Sequence, residues 1–193
     1  MNLKQYLICF ITAGTLFGCG EQLDTIEGGQ PSEVSEDELS YETSDLPIYD
    51  IQSQDDYNEV LSISDDLKKP VLVHISGYAC VSSKYFEDGQ WLDPIVYPLL
   101  KNQFIIAKIY VDDRTSLPNA MNLPDSLDTY GEYWMNYEIE RYKMVTQPLD
   151  DIVNHKNESL VKEIATYRSH GEANLYKLWL EEGLANFKKQ NNE

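Results

Sequence analysis

The chain has 193 residues, with 33 Asp or Glu against 15 Lys or Arg and a formal charge of −18. So acidic a chain argues against nucleic acid and anionic lipid headgroups as partners, since both are recognised through basic patches. Its 3 cysteines and 3 histidines are scattered without metal-ligand spacing, and no Gly-rich phosphate loop is present, so neither a metal nor a cofactor is expected.

Residues 1–18 read as an export signal. Lys4 gives a weakly basic start, Tyr6 to Phe17 form an apolar run too short to span a bilayer comfortably, and Gly18-Cys19 follow at once. Leu16-Phe17-Gly18-Cys19 resembles the lipobox of bacterial lipoproteins. That resemblance implies removal of residues 1–18, with Cys9 among them, and lipidation of Cys19. Several acyl chains would then hold the protein at a bacterial membrane without a spanning helix, in the cell envelope, with the domain in the periplasm or at the cell surface. An ordinary cleavable signal or an uncleaved anchor is the plainer alternative. From Glu21 to Asp66 there is no Lys or Arg. Residues 19–45, rich in acidic residues, Gly and Ser, are expected to be a flexible, self-repelling tether.

Residues 46–190 make one domain of ordinary size in which strand and helix patterns alternate, the mark of a sheet covered by helices. Leu46-Pro47-Ile48-Tyr49 suits an edge strand, because proline is excluded from central ones. Ser53 is placed to cap a helix carrying Tyr57, Val60, Leu61, Ser64 and Leu67 on one face. Pro70 to Ile75 predicts a strand buried on both faces. After the turn at Cys80, Lys84 to Glu87 continue a helix, and Asp93-Pro94 begins another with Ile95, Val96, Leu99 and Leu100. Phe104 to Val111 is a second strong strand. A polar insert with Pro118 and Pro124 leads to a helix near Tyr130 to Tyr142. Ile152-Val153 and Leu160 to Ala165 predict a hairpin turning at Lys156-Asn157-Glu158. A last helix shows Tyr176, Leu180, Leu184 and Phe187 on one stripe.

In chain order, Lys69-Pro70-Val71-Leu72-Val73, Gly77-Tyr78-Ala79-Cys80-Val81, Trp91-Leu92-Asp93-Pro94, Tyr110-Val111-Asp112-Asp113, Gly131-Glu132-Tyr133-Trp134 and Thr146-Gln147-Pro148 form six blocks. They resemble successive blocks of the thioredoxin-like domain of bacterial thiol:disulfide interchange proteins of the DsbD type. The likeness covers nearly all of the domain. It implies an α/β, thioredoxin-like fold with a central mixed β-sheet flanked by helices. It also implies that Cys80 is the catalytic nucleophile, that Pro148 is cis and lies against the sulfur, and that Tyr78, Gln147 and Pro148 hold an extended substrate. In that family the motif is Cys-x-x-Cys followed by a basic residue. Here Ser83 replaces the second cysteine and Lys84 is the basic residue.

A helix amino terminus favours a thiolate through its unpaired N–H groups and dipole, and Lys84 would add favourable charge. Cys80 would attack a disulfide, but intramolecular release needs a second thiol where Ser83 now stands. Ser83 is expected instead to hydrogen-bond the sulfur. Three readings stay open: a monothiol exchanger acting on exported cysteine-containing or disulfide-bonded proteins or a small thiol; a redox-silent module that holds a partner beside Pro148; and an intermolecular disulfide through Cys80.

His74, six residues before Cys80, invites a Cys-His pair oriented by Asp112 or Asp113. Its apolar strand favours a satisfied core or groove-edge histidine instead. Asp112 and Asp113 suit turn capping better than cation binding. Trp91, Trp134 and Trp179 are expected in the core rather than on a sugar-binding face.

Overall fold

The computed structural model describes residues 41–118 and 127–191. The expected signal peptide, Cys19, most of the acidic segment and Pro124 lie outside them. Strands β1 (Ile48–Ile51), β2 (Val71–Ser76), β3 (Ile105–Tyr110), β4 (Leu149–Val153) and β5 (Ala165–Thr166) form one mixed sheet in the order β1-β3-β2-β4-β5. The first three run parallel, β4 runs against β2, and β5 runs against β4. Helices are α1 (Gln54–Leu67), α2 (Val81–Phe86), α3 (Tyr97–Gln103), α4 (Tyr130–Tyr142), α5 (Tyr167–His170) and α6 (Ala173–Asn191). This is a thioredoxin-like α/β fold. Among the described residues, no helix is long and apolar enough to cross a membrane.

β2 is central and wholly buried, as its apolar run predicts. Successive side chains point to opposite faces, so Val71, Val73 and Ile75 pack with Tyr57 and Val60 of α1 and Trp134 of α4. Leu72 goes to the other face, with Phe86, Trp91, Leu100, Tyr176 and Leu180. α1 and α4 each begin with a capping box, Ser53 with Asp56 and Thr129 with Glu132, which satisfies N–H groups that the first turn cannot. Just before β1, Thr43–Asp45 make a 3-10 turn, and Tyr41 lies on Tyr97 with ring centroids 4.3 Å apart.

Three elements depart from the sequence expectation. α3 begins at Tyr97 rather than at Asp93-Pro94, because the Asp93 side chain accepts the Ile95 N–H and its carbonyl accepts those of Val96 and Tyr97, which closes a turn before the helix. The helix containing Phe86 runs on through Glu87–Trp91 as a π-helical turn. Pairing between β4 and β5 is confined to Leu149–Thr166 and Asp150–Ala165. The stretch before β5 instead bonds to Ile152 through the Leu160 N–H, and to the indole of Trp179 through the Glu163 carbonyl. The expected turn at Asn157 is present, with a positive φ of 61°.

Gly131 opens α4 where it meets the end of β3. A Cβ there would stand 2.6 Å from the Asp113 nitrogen and 2.8 Å from the Val111 oxygen, backbone atoms that cannot yield. Gly131→Ala is therefore expected to cost about 3 kcal/mol, seen as a lower urea midpoint at unchanged slope. A variant as stable as the parent would contradict this packing.

Candidate functional site

Ser76, the last residue of β2, accepts the Val111 N–H at 3.0 Å, which leaves the ends of β2 and β3 level. The chain then turns through Gly77–Cys80, closed by the Cys80 N–H on the Gly77 carbonyl at 3.0 Å. Asp112 holds this turn from β3. Its two carboxylate oxygens accept the N–H groups of Tyr78 at 2.7 Å and Ala79 at 2.9 Å. A Cβ on Gly77 would sit 3.2 Å from the same carboxylate, so glycine lets the two approach. Asp112 thus binds the cysteine turn rather than the turn that follows it in the chain, which Asp113 caps by accepting the Thr115 N–H at 2.8 Å.

Cys80 is the N-cap of α2, half-buried and free, and its thiol donates to the Gln147 carbonyl across 3.7 Å. The Gln147-Pro148 bond is cis and leads directly into β4. The structure therefore brings together Cys80, Gln147 and Pro148, residues far apart in the chain. Tyr78 stacks on Tyr110 with ring centroids 3.9 Å apart and stays 67% exposed. Ser83 is buried on the first turn of α2, but its hydroxyl has no partner among the described residues. The expected hydrogen bond from Ser83 to the sulfur is not formed. Lys84 pairs with Asp88 at 2.5 Å on the exposed side of the helix, which matches its charge locally.

Two features emerge only with the tertiary structure. Glu138 of α4 is fully buried, accepting the Thr146 N–H at 2.7 Å and the Gln147 side-chain amide at 2.8 Å. Burial pushes its carboxyl upward, against these two hydrogen bonds. The second feature is a row of charge beneath the site. Sheet register sets His74 opposite Asp150 on one side and Lys108 on the other. His74 Nδ1 lies 2.5 Å from Asp150 and Nε2 lies 3.2 Å from Glu87, whose other oxygen accepts Lys108 at 2.7 Å. Tyr176 of α6 donates to the second oxygen of Asp150 at 2.5 Å. With a carboxylate facing each ring nitrogen, only the imidazolium donates to both. Burial disfavours that charge, yet Asp150 and then Glu87 outweigh it and raise His74 to about 9. Burial likewise acts to raise Glu87, but His74 and Lys108 bring it down to about 2. His74 is the satisfied core histidine expected from its strand.

His155 and His170 lie elsewhere, beside Asp65 and Trp179 respectively. Trp91, Trp134 and Trp179 are all buried. Among the described residues, no group of three or more His, Cys, Asp or Glu could hold a metal ion.

No protein-family model and no curated protein matches the chain. Solved structures similar to it include a DsbH oxidoreductase, 14% identical over 67% of this chain and 81% of that chain, with a TM-score of 0.47. A disulphide isomerase from Xylella fastidiosa is 16% identical over 76% of this chain and 97% of that one, with a TM-score of 0.43. The germline-specific thioredoxin Deadhead from Drosophila melanogaster is 19% identical over 67% and 91% respectively, with a TM-score of 0.40. Likeness this distant carries no functional argument, so function rests on the site's own geometry.

The charge row makes stability depend on pH at both ends. His74 is raised from 6.5 to about 9, so its contribution is complete below pH 6.5 and is lost as pH rises through about 9. Glu87 is lowered from 4.5 to about 2, so its contribution is complete above pH 4.5 and is lost as pH falls through about 2. Asp150→Asn is expected to cost about 3 kcal/mol and to flatten the alkaline decline, measured by urea melts from pH 6 to 10. An alkaline profile that keeps the parent's slope would contradict the assignment.

Proposed function

We propose that the protein carries out thiol–disulfide exchange through Cys80 alone. The observation that carries this reading is the approach of the thiol at the head of α2 to the Gln147 carbonyl, immediately before Pro148. The Cys80 thiol loses its proton to solvent, and the thiolate attacks one sulfur of a disulfide R–S–S–R′. A Cys80–S–S–R bond forms as the old S–S bond breaks, and R′–S⁻ leaves to take up a proton. The buried hydroxyl of Ser83, unpartnered while the thiol is protonated, has its donor available for the thiolate. An extended client lies along Tyr78 and pairs with the backbone at Gln147. Because residue 83 carries no thiol, an outside thiol must attack the mixed disulfide, supplying the reducing electrons and regenerating Cys80. The sequence signals at Gly18-Cys19 support the further proposal that this chemistry takes place in the cell envelope, on a chain held to a membrane through lipid on Cys19.

A second reading is favoured by a different observation. Val81 and Tyr85, one turn apart on α2, are each 66% exposed and lie on the same helix as Cys80. This pair, with the exposed Tyr78 ring in the turn just before the helix, offers apolar surface for holding a partner without chemistry.

Ser83→Cys separates the two readings. The variant is expected to gain dithiol-dependent disulfide reductase activity, while the parent forms a mixed disulfide with a peptide disulfide and stalls there until a thiol is added. Mass spectrometry under non-reducing conditions reads both outcomes. A parent that forms no adduct, with a variant equally inactive, would remove the exchange reading and leave the binding module. The intact mass of the mature chain from its own cells tests the anchor, since loss of residues 1–18 with added acyl mass is expected.

A further inference from the structure

Two carboxylates stand behind the site, one on each of the segments that meet there. Asp112 at the end of β3 holds the Gly77–Cys80 turn by two N–H groups, at 2.7 and 2.9 Å. Glu138 on α4 holds the Thr146–Gln147 segment by one N–H at 2.7 Å and one side-chain amide at 2.8 Å. Each uses both of its oxygens, and each reaches a backbone N–H close in sequence to an atom of the thiol–carbonyl contact. Neither touches the sulfur. The turn has few other restraints. Tyr78 is largely exposed, and besides the Cys80 N–H on Gly77, the Tyr78–Tyr110 stack is the contact that fixes it. The segment before Pro148 follows Lys143, where α4 ends in a left-handed residue, and Met144 and Val145 are exposed. Both halves of the site are thus loop backbone whose position is set from outside.

We propose that Asp112 and Glu138 are a pair of positioning residues that set the distance between Cys80 Sγ and the Gln147 carbonyl, and with it the alignment of a disulfide against an extended peptide. The proposal rests on the exchange reading for its chemical consequence but not for its structural one. Hydrogen bonds from N–H to carboxylate are among the stronger ones, so removing an acceptor loosens the loop it holds. A reagent small enough to need no groove does not sense the loosening. A peptide disulfide does, since its sulfur must meet a thiol already placed beside the pairing edge.

The test uses the full chain with Asp112→Asn, Glu138→Gln and the double variant. Amide hydrogen exchange is expected to rise about tenfold at Tyr78, Ala79 and Cys80 in the first and at Thr146 in the second, with β2 and β3 amides unchanged. The rate at which Cys80 forms a mixed disulfide with an extended apolar peptide disulfide is expected to fall about tenfold in each. The rate with iodoacetamide should stay within about twofold of the parent. The double variant should lose little more than the worse single variant, because both changes act on one distance. Unchanged exchange at these amides, or equal slowing toward both reagents, would overturn the proposal. If the parent itself does not react with the peptide disulfide, the exchange reading fails, and the amide data still decide the positioning claim. Should a variant lose core amide protection, Asp112→Glu and Glu138→Asp carry the same comparison, since each keeps the charge and displaces it by one methylene.

Discussion

Asp150, His74 and Lys108 lie side by side on one face of the three central strands, and Glu87 comes down between the two cations. Removing four charges from water is costly, several kcal/mol for each ion even after relaxation. The arrangement is tolerable because the charges sum to zero and every one of them touches an opposite charge. The identity of the neighbouring elements follows from that need. A helix of ordinary pitch leading from Cys80 is wound into a π turn over Glu87–Trp91, and turns of that kind recur at functional sites. Its residues bring Glu87 onto His74 and Trp91 against the imidazole, with ring centroids 4.6 Å apart. The final helix is joined to the same row through Tyr176, whose hydroxyl also accepts the Trp91 indole N–H at 3.3 Å.

The site above this row is assembled from segments that the row connects. β2 supplies His74 and runs into the cysteine turn, the helix after that turn supplies Glu87, and β4 supplies Asp150 two residues after Pro148. A shift of any one segment would break a charge pair in the interior, which is a stronger restraint than packing of apolar side chains alone. The loops themselves are held by the carboxylate contacts of Asp112 and Glu138 and by the Tyr78–Tyr110 stack. A rigid base under locally held loops is a common way for a fold to present reactive atoms without burying them.

Much of this was legible in the chain. The apolar run 70–75, the capping residue Ser53, and the spacing of Tyr176, Leu180 and Phe187 each state a local preference that the tertiary structure follows. The pairing of Cys80 with Pro148 was legible as motif order. What escaped the sequence depends on register or on irregular winding. His74 in an apolar strand and Asp150 after the proline were two separate oddities, and only the antiparallel pairing of β2 with β4 makes each the reason for the other. Glu87 read as an ordinary helical position because a π turn has no simple periodic signature. Glu138 follows Tyr130 and Trp134 at four-residue spacing and so falls on the buried stripe of its helix, but a carboxylate at that position reads as polar and masks the pattern. Lys84, one turn from the sulfur, has a near partner that the motif does not advertise, Asp88 at i+4 on the exposed side of the helix.

The stem of the polar insert has a practical consequence. Ser116 bridges to Thr129, the Leu117 N–H bonds the Asp128 carbonyl at 2.9 Å, and the Tyr130 N–H bonds the Thr115 carbonyl at 3.0 Å. The two ends are therefore sewn together before the chain leaves them, and the entropy of closing a longer excursion grows only slowly with its length. A fluorophore or epitope spliced between residues 118 and 127 would leave those stitches intact. The stem that carries these stitches springs from Asp113, next to the carboxylate that grips the cysteine turn.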